Sequence, residues 1–191
     1  MKHTMALAAG IALLAACADG KVATDTSANF QLGGPAASQA GLGSDINKDL
    51  ARLRSVTAAF HDSATASRAG WSTQITKCMT DPVLGGMGFH YGNTALINGT
   101  ATVENPQLLL YEPDKNGKVT LVAVEYIIPY SFHSRDAEPP VLFNQKFQQV
   151  DAFQLWGLHA WVWKDNPSGM FAPWNPNVNC DNTTEVMSMS M

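Results

Sequence analysis

Two apolar runs, residues 107–112 and 118–128, are separated by only Pro113-Asp114-Lys115-Asn116-Gly117. The Asn-Gly pair favours a tight reversal, so the two runs read as the arms of one β-hairpin. The second arm is dense in Val, Ile, Leu and Tyr and is ended by Pro129, which suits a central strand. A further strand is expected from Phe153 or Leu155 to Trp163, with short ones near residues 87–91 and 147–150. No repeat and no alternation of strand and helix is visible, which disfavours a parallel sheet. Ahead of the strands, Ile46, Leu50, Leu53, Phe60 and Ala64 recur at three- and four-residue steps behind Ser44 and Asp45, either of which can cap a helix. Gly70 is the expected stop. The pattern predicts an α+β fold: one N-terminal amphipathic helix packed on an antiparallel β-sheet or small open barrel, closed by one disulfide.

The chain begins with Lys2 and His3, followed by apolar or small residues from 5 to 16. That run has the length of a signal-peptide core and is too short to span a bilayer. It ends in Leu14-Ala15-Ala16-Cys17, which resembles the lipobox of bacterial lipoproteins. The resemblance implies acylation of Cys17, which becomes the mature N-terminus, and removal of residues 1–16. Residues 17–43 are rich in Ala, Gly, Ser, Thr and Gln and read as a flexible tether. Residues 44–180 are expected to form a single globular domain, and 181–191 a disordered tail. The protein is then exported and held to the bacterial cell envelope by lipid, on the periplasmic or surface side. With Cys17 acylated, Cys78 and Cys180 are left as the one intramolecular pair, and an oxidising compartment favours their bridging.

Composition narrows the partners. A net charge of −4 with 15% charged residues is the wrong balance for nucleic acid, which requires clustered Lys and Arg. No polybasic patch serves anionic lipid, so membrane attachment would rest on acyl chains.

Four residues stand out because each is polar, can ligate a metal, and sits inside an apolar run: His90, Glu112, Glu125 and His159. Side chains alternate along a strand. Glu125 therefore shares a face with Leu121, Ala123 and Ile127, and His159 with Leu155, Gly157 and Trp161. A carboxylate on an inward face is costly unless paired, hydrogen-bonded or coordinated. Two histidines with one or two glutamates form an N/O set for a divalent ion such as Zn, Mn, Fe or Cu. The alternative is that both glutamates face water and His159 is a satisfied core histidine. Gly85-Gly86-Met87-Gly88 lacks the Gly-Lys-Ser/Thr ending of a phosphate loop, and no serine sits in a nucleophile elbow. The five tryptophans read first as core, with a flat-ligand platform as the other possibility.

The segments Gly85-Gly86-Met87-Gly88-Phe89-His90-Tyr91, Leu110-Tyr111-Glu112-Pro113, Leu121-Val122-Ala123-Val124-Glu125-Tyr126 and Leu158-His159-Ala160-Trp161-Val162-Trp163, with Asn166-Pro167-Ser168-Gly169-Met170-Phe171 and Trp174-Asn175-Pro176, resemble a family of uncharacterised exported bacterial proteins. The resemblance implies export and the limits of the domain, and carries no activity. The expected function is a lipid-anchored envelope protein, non-enzymatic, binding a small ligand or divalent ion in a His/Glu pocket. The alternatives are a metal-dependent enzyme using the same residues and a structural module of the envelope.

Overall fold

In a computed structural model of the protein, residues 42–188 are described. The expected signal peptide, Cys17 and most of the tether lie outside the described residues. No helix among the described residues is long and apolar enough to cross a membrane.

Helix α1 (Ser44–Thr57) buries Leu50, Leu53 and Thr57, the stripe expected from the three- and four-residue spacing. The stripe was expected to continue unbroken towards Gly70, but the helix tightens into a 3-10 turn, Ala58–His61, and stops at Asp62. Asp62 takes an extended backbone, and its carboxylate accepts from the Ala64 amide at 3.0 Å and the Thr65 hydroxyl at 2.7 Å, capping a second short helix, α2 (Ser63–Arg68). A short acidic side chain that bonds its own backbone competes with helix continuation. The helical region thus occupies residues 44–61 and beyond, and is not at the chain's N-terminus.

Among the described residues nine strands follow: β1 (Thr73–Asp81), β2 (Gly85–Gly92), β3 (Leu108–Pro113), β4 (Val119–Pro129), β5 (Val141–Leu142), β6 (Gln145–Lys146), β7 (Gln148–Val150), β8 (Leu155–Ala160) and β9 (Val186–Ser188). Seven of them form a curled sheet, half of a barrel, in the order β7-β8-β4-β3-β2-β1-β9. The predicted hairpin is β3–β4; its short arm is the sheet's middle strand and its long arm the interior strand beside it. The sheet is mixed where an antiparallel one was expected: β9 runs parallel to β1, pairing Val186 with Cys78. Its cause is the Cys78–Cys180 disulfide, which holds the chain beside β1 so that residues read above as the start of a disordered tail turn and pair there. Closing a loop of 102 residues stabilises the fold by about 4–5 kcal/mol in the chain-entropy account.

The two sheet faces have different covers. Tyr111 of β3 donates its hydroxyl to the Phe60 carbonyl at 2.6 Å, Trp163 donates its indole N–H to Thr57 at 3.1 Å, and Arg54 donates to the Val162 carbonyl at 3.0 Å. These contacts seat α1 on the face that carries Tyr111, Leu109 and Val124. The irregular segment after β8 reaches the other face, where Phe171, Pro173 and Trp174 line a cavity. It is anchored by Trp161, whose indole N–H donates to the Ala172 carbonyl at 2.7 Å, and by paired hydrogen bonds between Asn175 and Gly86. A Cβ at Gly85 would lie 2.3 Å from the Asn175 carbonyl oxygen, which accounts for a glycine where the segment crosses β2.

Candidate metal centre

Register alone brings Glu125 and His159 together. They lie directly opposite each other on β4 and β8, and Leu108 of β3 is the other partner of Glu125. Opposed residues on adjacent strands share a face, so this row lies on the side away from α1. His90 comes from β2, one strand further, opposite Leu110. In a flat sheet β4 and β2 would stand about 9.6 Å apart, twice the ordinary strand spacing. Curling closes that gap, and the β2 member of Glu125's row is Gly92, which has no side chain to stand in the way.

His90 Nε2 therefore lies 3.5 Å from Glu125 Oε2, and His159 Nε2 lies 3.9 Å from the same oxygen. All three donor atoms fall within 4.8 Å of one another. Donors around a tetrahedral ion with bonds near 2.1 Å are about 3.4 Å apart, so the cluster needs only a small inward rotation to close on one ion. None of the three residues is more than 6% exposed.

Burial decides the protonation of the cluster. It pushes His90 down to about 4, with the Gly88 backbone working in the opposite direction. It pushes His159 down to about 3, with a further lowering from His90. The same loss of water pushes the Glu125 carboxyl up to about 8. At neutral pH the contacts are thus between uncharged imidazoles and a largely protonated acid, not ion pairs. Uncharged imidazole is the form that ligates a metal. His159 Nε2, fully buried, has no hydrogen-bond partner.

His90 has the support that metal-bound histidines have: its Nδ1 lies 2.8 Å from the Thr76 hydroxyl, leaving Nε2 turned towards Glu125. His159 stacks on Trp161, ring centroids 6.1 Å apart and planes 11° apart. A cavity of about 330 Å³ opens beside the cluster, lined by apolar side chains from β1, β4, β7, β8 and the 171–174 segment.

Three of the four residues singled out in the sequence meet here, and Glu112 does not. Four positions along β3 from Leu108, it is about 13 Å further down the strand. There it pairs with Lys164 and accepts the Asn179 amide at 3.1 Å, tying two loops to the sheet. Of the tryptophans, Trp71, Trp156, Trp161 and Trp174 are buried, which is the core reading.

Three contributors escaped sequence reasoning. Thr76 carries no sequence signal. Gly88 has φ +87° and breaks the two-residue alternation of β2, so Met87 and His90 both line the cavity. Gly157 faces Glu125 across the β4–β8 ladder's next row; a Cβ there would lie 2.9 Å from Glu125 Oε1. A glycine inside an apolar strand was the available hint of such a close approach.

No protein family matches this chain, nor does any curated protein or solved structure.

Proposed function

We propose that this is an exported, lipid-anchored protein whose domain binds one divalent transition-metal ion through His90 Nε2, Glu125 and His159 Nε2. The observation that carries the reading is the meeting of three buried donors from three strands within 4.8 Å, one of them without a hydrogen-bond partner. Buried polar groups are satisfied in folded proteins, and an orphan imidazole nitrogen aimed at a carboxylate calls for an occupant. Two imidazoles and a carboxylate suit Zn or Fe(II).

Three protein ligands leave coordination positions free, as in sites where the metal meets a small molecule, whereas a purely structural zinc is enclosed by four. Among the described cavity-lining residues the only titratable groups are the three ligands themselves. With no separate acid or base at hand, binding is favoured over catalysis. Attachment through Cys17 is supported by the Leu-Ala-Ala-Cys motif, and export by the Cys78–Cys180 disulfide.

Titration calorimetry of the full chain with Zn(II) at pH 8, after chelation, should give one ion per chain. Absence of uptake there would overturn the metal reading. Attachment is tested separately: a radiolabelled fatty acid should enter the wild type and not Cys17→Ser, and equal labelling would refute it.

A further inference from the structure

We propose that the cavity beside the metal binds a small monocarboxylate, its carboxylate on the ion and its apolar tail in the cavity. This rests on the metal reading above.

The head group follows from charge. A divalent ion held by one carboxylate and two uncharged imidazoles keeps one uncancelled positive charge. That charge sits among residues that are at most 6% exposed, where a lone charge is costly unless it is paired. The cavity lining includes no lysine or arginine, and its only acidic residue is Glu125, already a ligand. An anion entering the cavity therefore has the metal as its sole cationic partner. A monoanion cancels the charge; a dianion would leave a new one buried. Oxygen donors suit the borderline ions that an N/O site selects.

The tail follows from the walls. Leu108, Ile127, Leu155 and Phe171 surround the space, and about 330 Å³ is at the lower end of ligand-site volumes. The mouth is apolar as well: Ile75 and Phe153 line the cavity and are 43% and 41% exposed. Hydrophobic side chains left in water at the rim of an apolar cavity are what an apolar ligand would cover. The neighbouring Gln148 and Gln149 are polar but uncharged, so they can hydrogen-bond a ligand without competing for its charge.

The test uses the full chain carrying Cys17→Ser, so that no acyl chain competes for the cavity. It is loaded with Zn(II) and titrated with straight-chain carboxylates from acetate to octanoate and with 1-octanol. Affinity should rise about fourfold per methylene until the cavity is full, as expected for burying each CH₂ group. Octanoate should bind at least tenfold more tightly than 1-octanol, and chelating the zinc should erase that preference. Zinc uptake with affinity independent of chain length, or with octanol equal to octanoate, would overturn the carboxylate proposal and leave the metal reading standing. Failure to take up zinc would overturn both.

Discussion

The two faces of the sheet solve the burial of polar atoms differently. On the α1 face, Tyr111 and Tyr126 donate to backbone carbonyls of Phe60 and Val103, and Trp163 donates to Thr57. Their polar ends act as fasteners between the sheet and what lies over it, while on α1 itself Asn47 Oδ1 and Arg54 Nη2 are buried without a partner. On the opposite face, His90, Glu125 and His159 approach one another without a hydrogen bond among them, and His159 Nε2 has none at all. Matched polar atoms cost little to bury, whereas unmatched ones cost about 1–3 kcal/mol each. On the far face that cost falls inside a cluster of three possible metal donors, where a bound ion would remove it.

The sharpest way to break this contrast is to delete bulk from the α1 face. Leu53→Ala removes a side chain with no exposure and should lower the unfolding free energy by about 3 kcal/mol in urea titrations. The zinc affinity of the folded protein should not change. A parallel loss of affinity would mean that the two faces are coupled.

Glu125→Gln probes the other face. The amide keeps the shape of the protonated acid and has no proton to lose in the unfolded chain, so at pH 6–7 the metal-free protein should be no less stable than the wild type. Zinc affinity should fall roughly a hundredfold, since an anionic ligand has been removed. A clear stability loss with affinity retained would make Glu125 a structural residue.

Thr76→Val keeps the volume and removes the oxygen beside His90 Nδ1. Zinc affinity should drop about tenfold by calorimetry, the lower end of what supporting residues contribute. An unchanged affinity would show that the neighbouring backbone suffices to orient the ring.

The smallest effect is in the pH dependence of the metal-free protein. The histidines, at about 4 and about 3 against an ordinary 6.5, contribute stability that is present above pH 6.5 and lost as pH falls towards 4. Glu125, at about 8 against 4.5, contributes stability that is present below pH 4.5 and lost as pH rises through 8. Between 4.5 and 6.5 two histidines outweigh one glutamate, so the cluster's contribution should peak near pH 6.5. It should then decline from pH 7 to 8. Denaturation curves at these pH values check it, and Glu125→Gln should abolish the alkaline decline.

Much of the architecture was legible in residue order, because it rests on local periodicity. The apolar arms around Asn116-Gly117 gave β3 and β4, and the spacing of Leu50 and Leu53 gave the buried side of α1. Alternation placed Glu125 and His159 each on an apolar strand face, though not opposite each other. What escaped was whatever depends on close approach between distant segments. The break at Asp62 follows from a side chain choosing its own backbone over the helix. Glu112 had the same sequence credentials as Glu125, yet it lies where Lys164 and Asn179 meet it.

The sequence by itself pointed to the segments that form β2, β3, β4, β7 and β8, to the residues that are polar among apolar neighbours, and to the pairing of Cys78 with Cys180; β1 and β9 carried no such signal. It did so because side-chain alternation, turn chemistry and residue type are properties of a few adjacent positions. The tertiary structure decided the rest: which polar residues share a row, how far the sheet curls to bring His90 across β3, and that the end of the chain pairs parallel to β1. Those outcomes depend on strand register and on the disulfide, and register is set by long-range pairing that no single segment encodes.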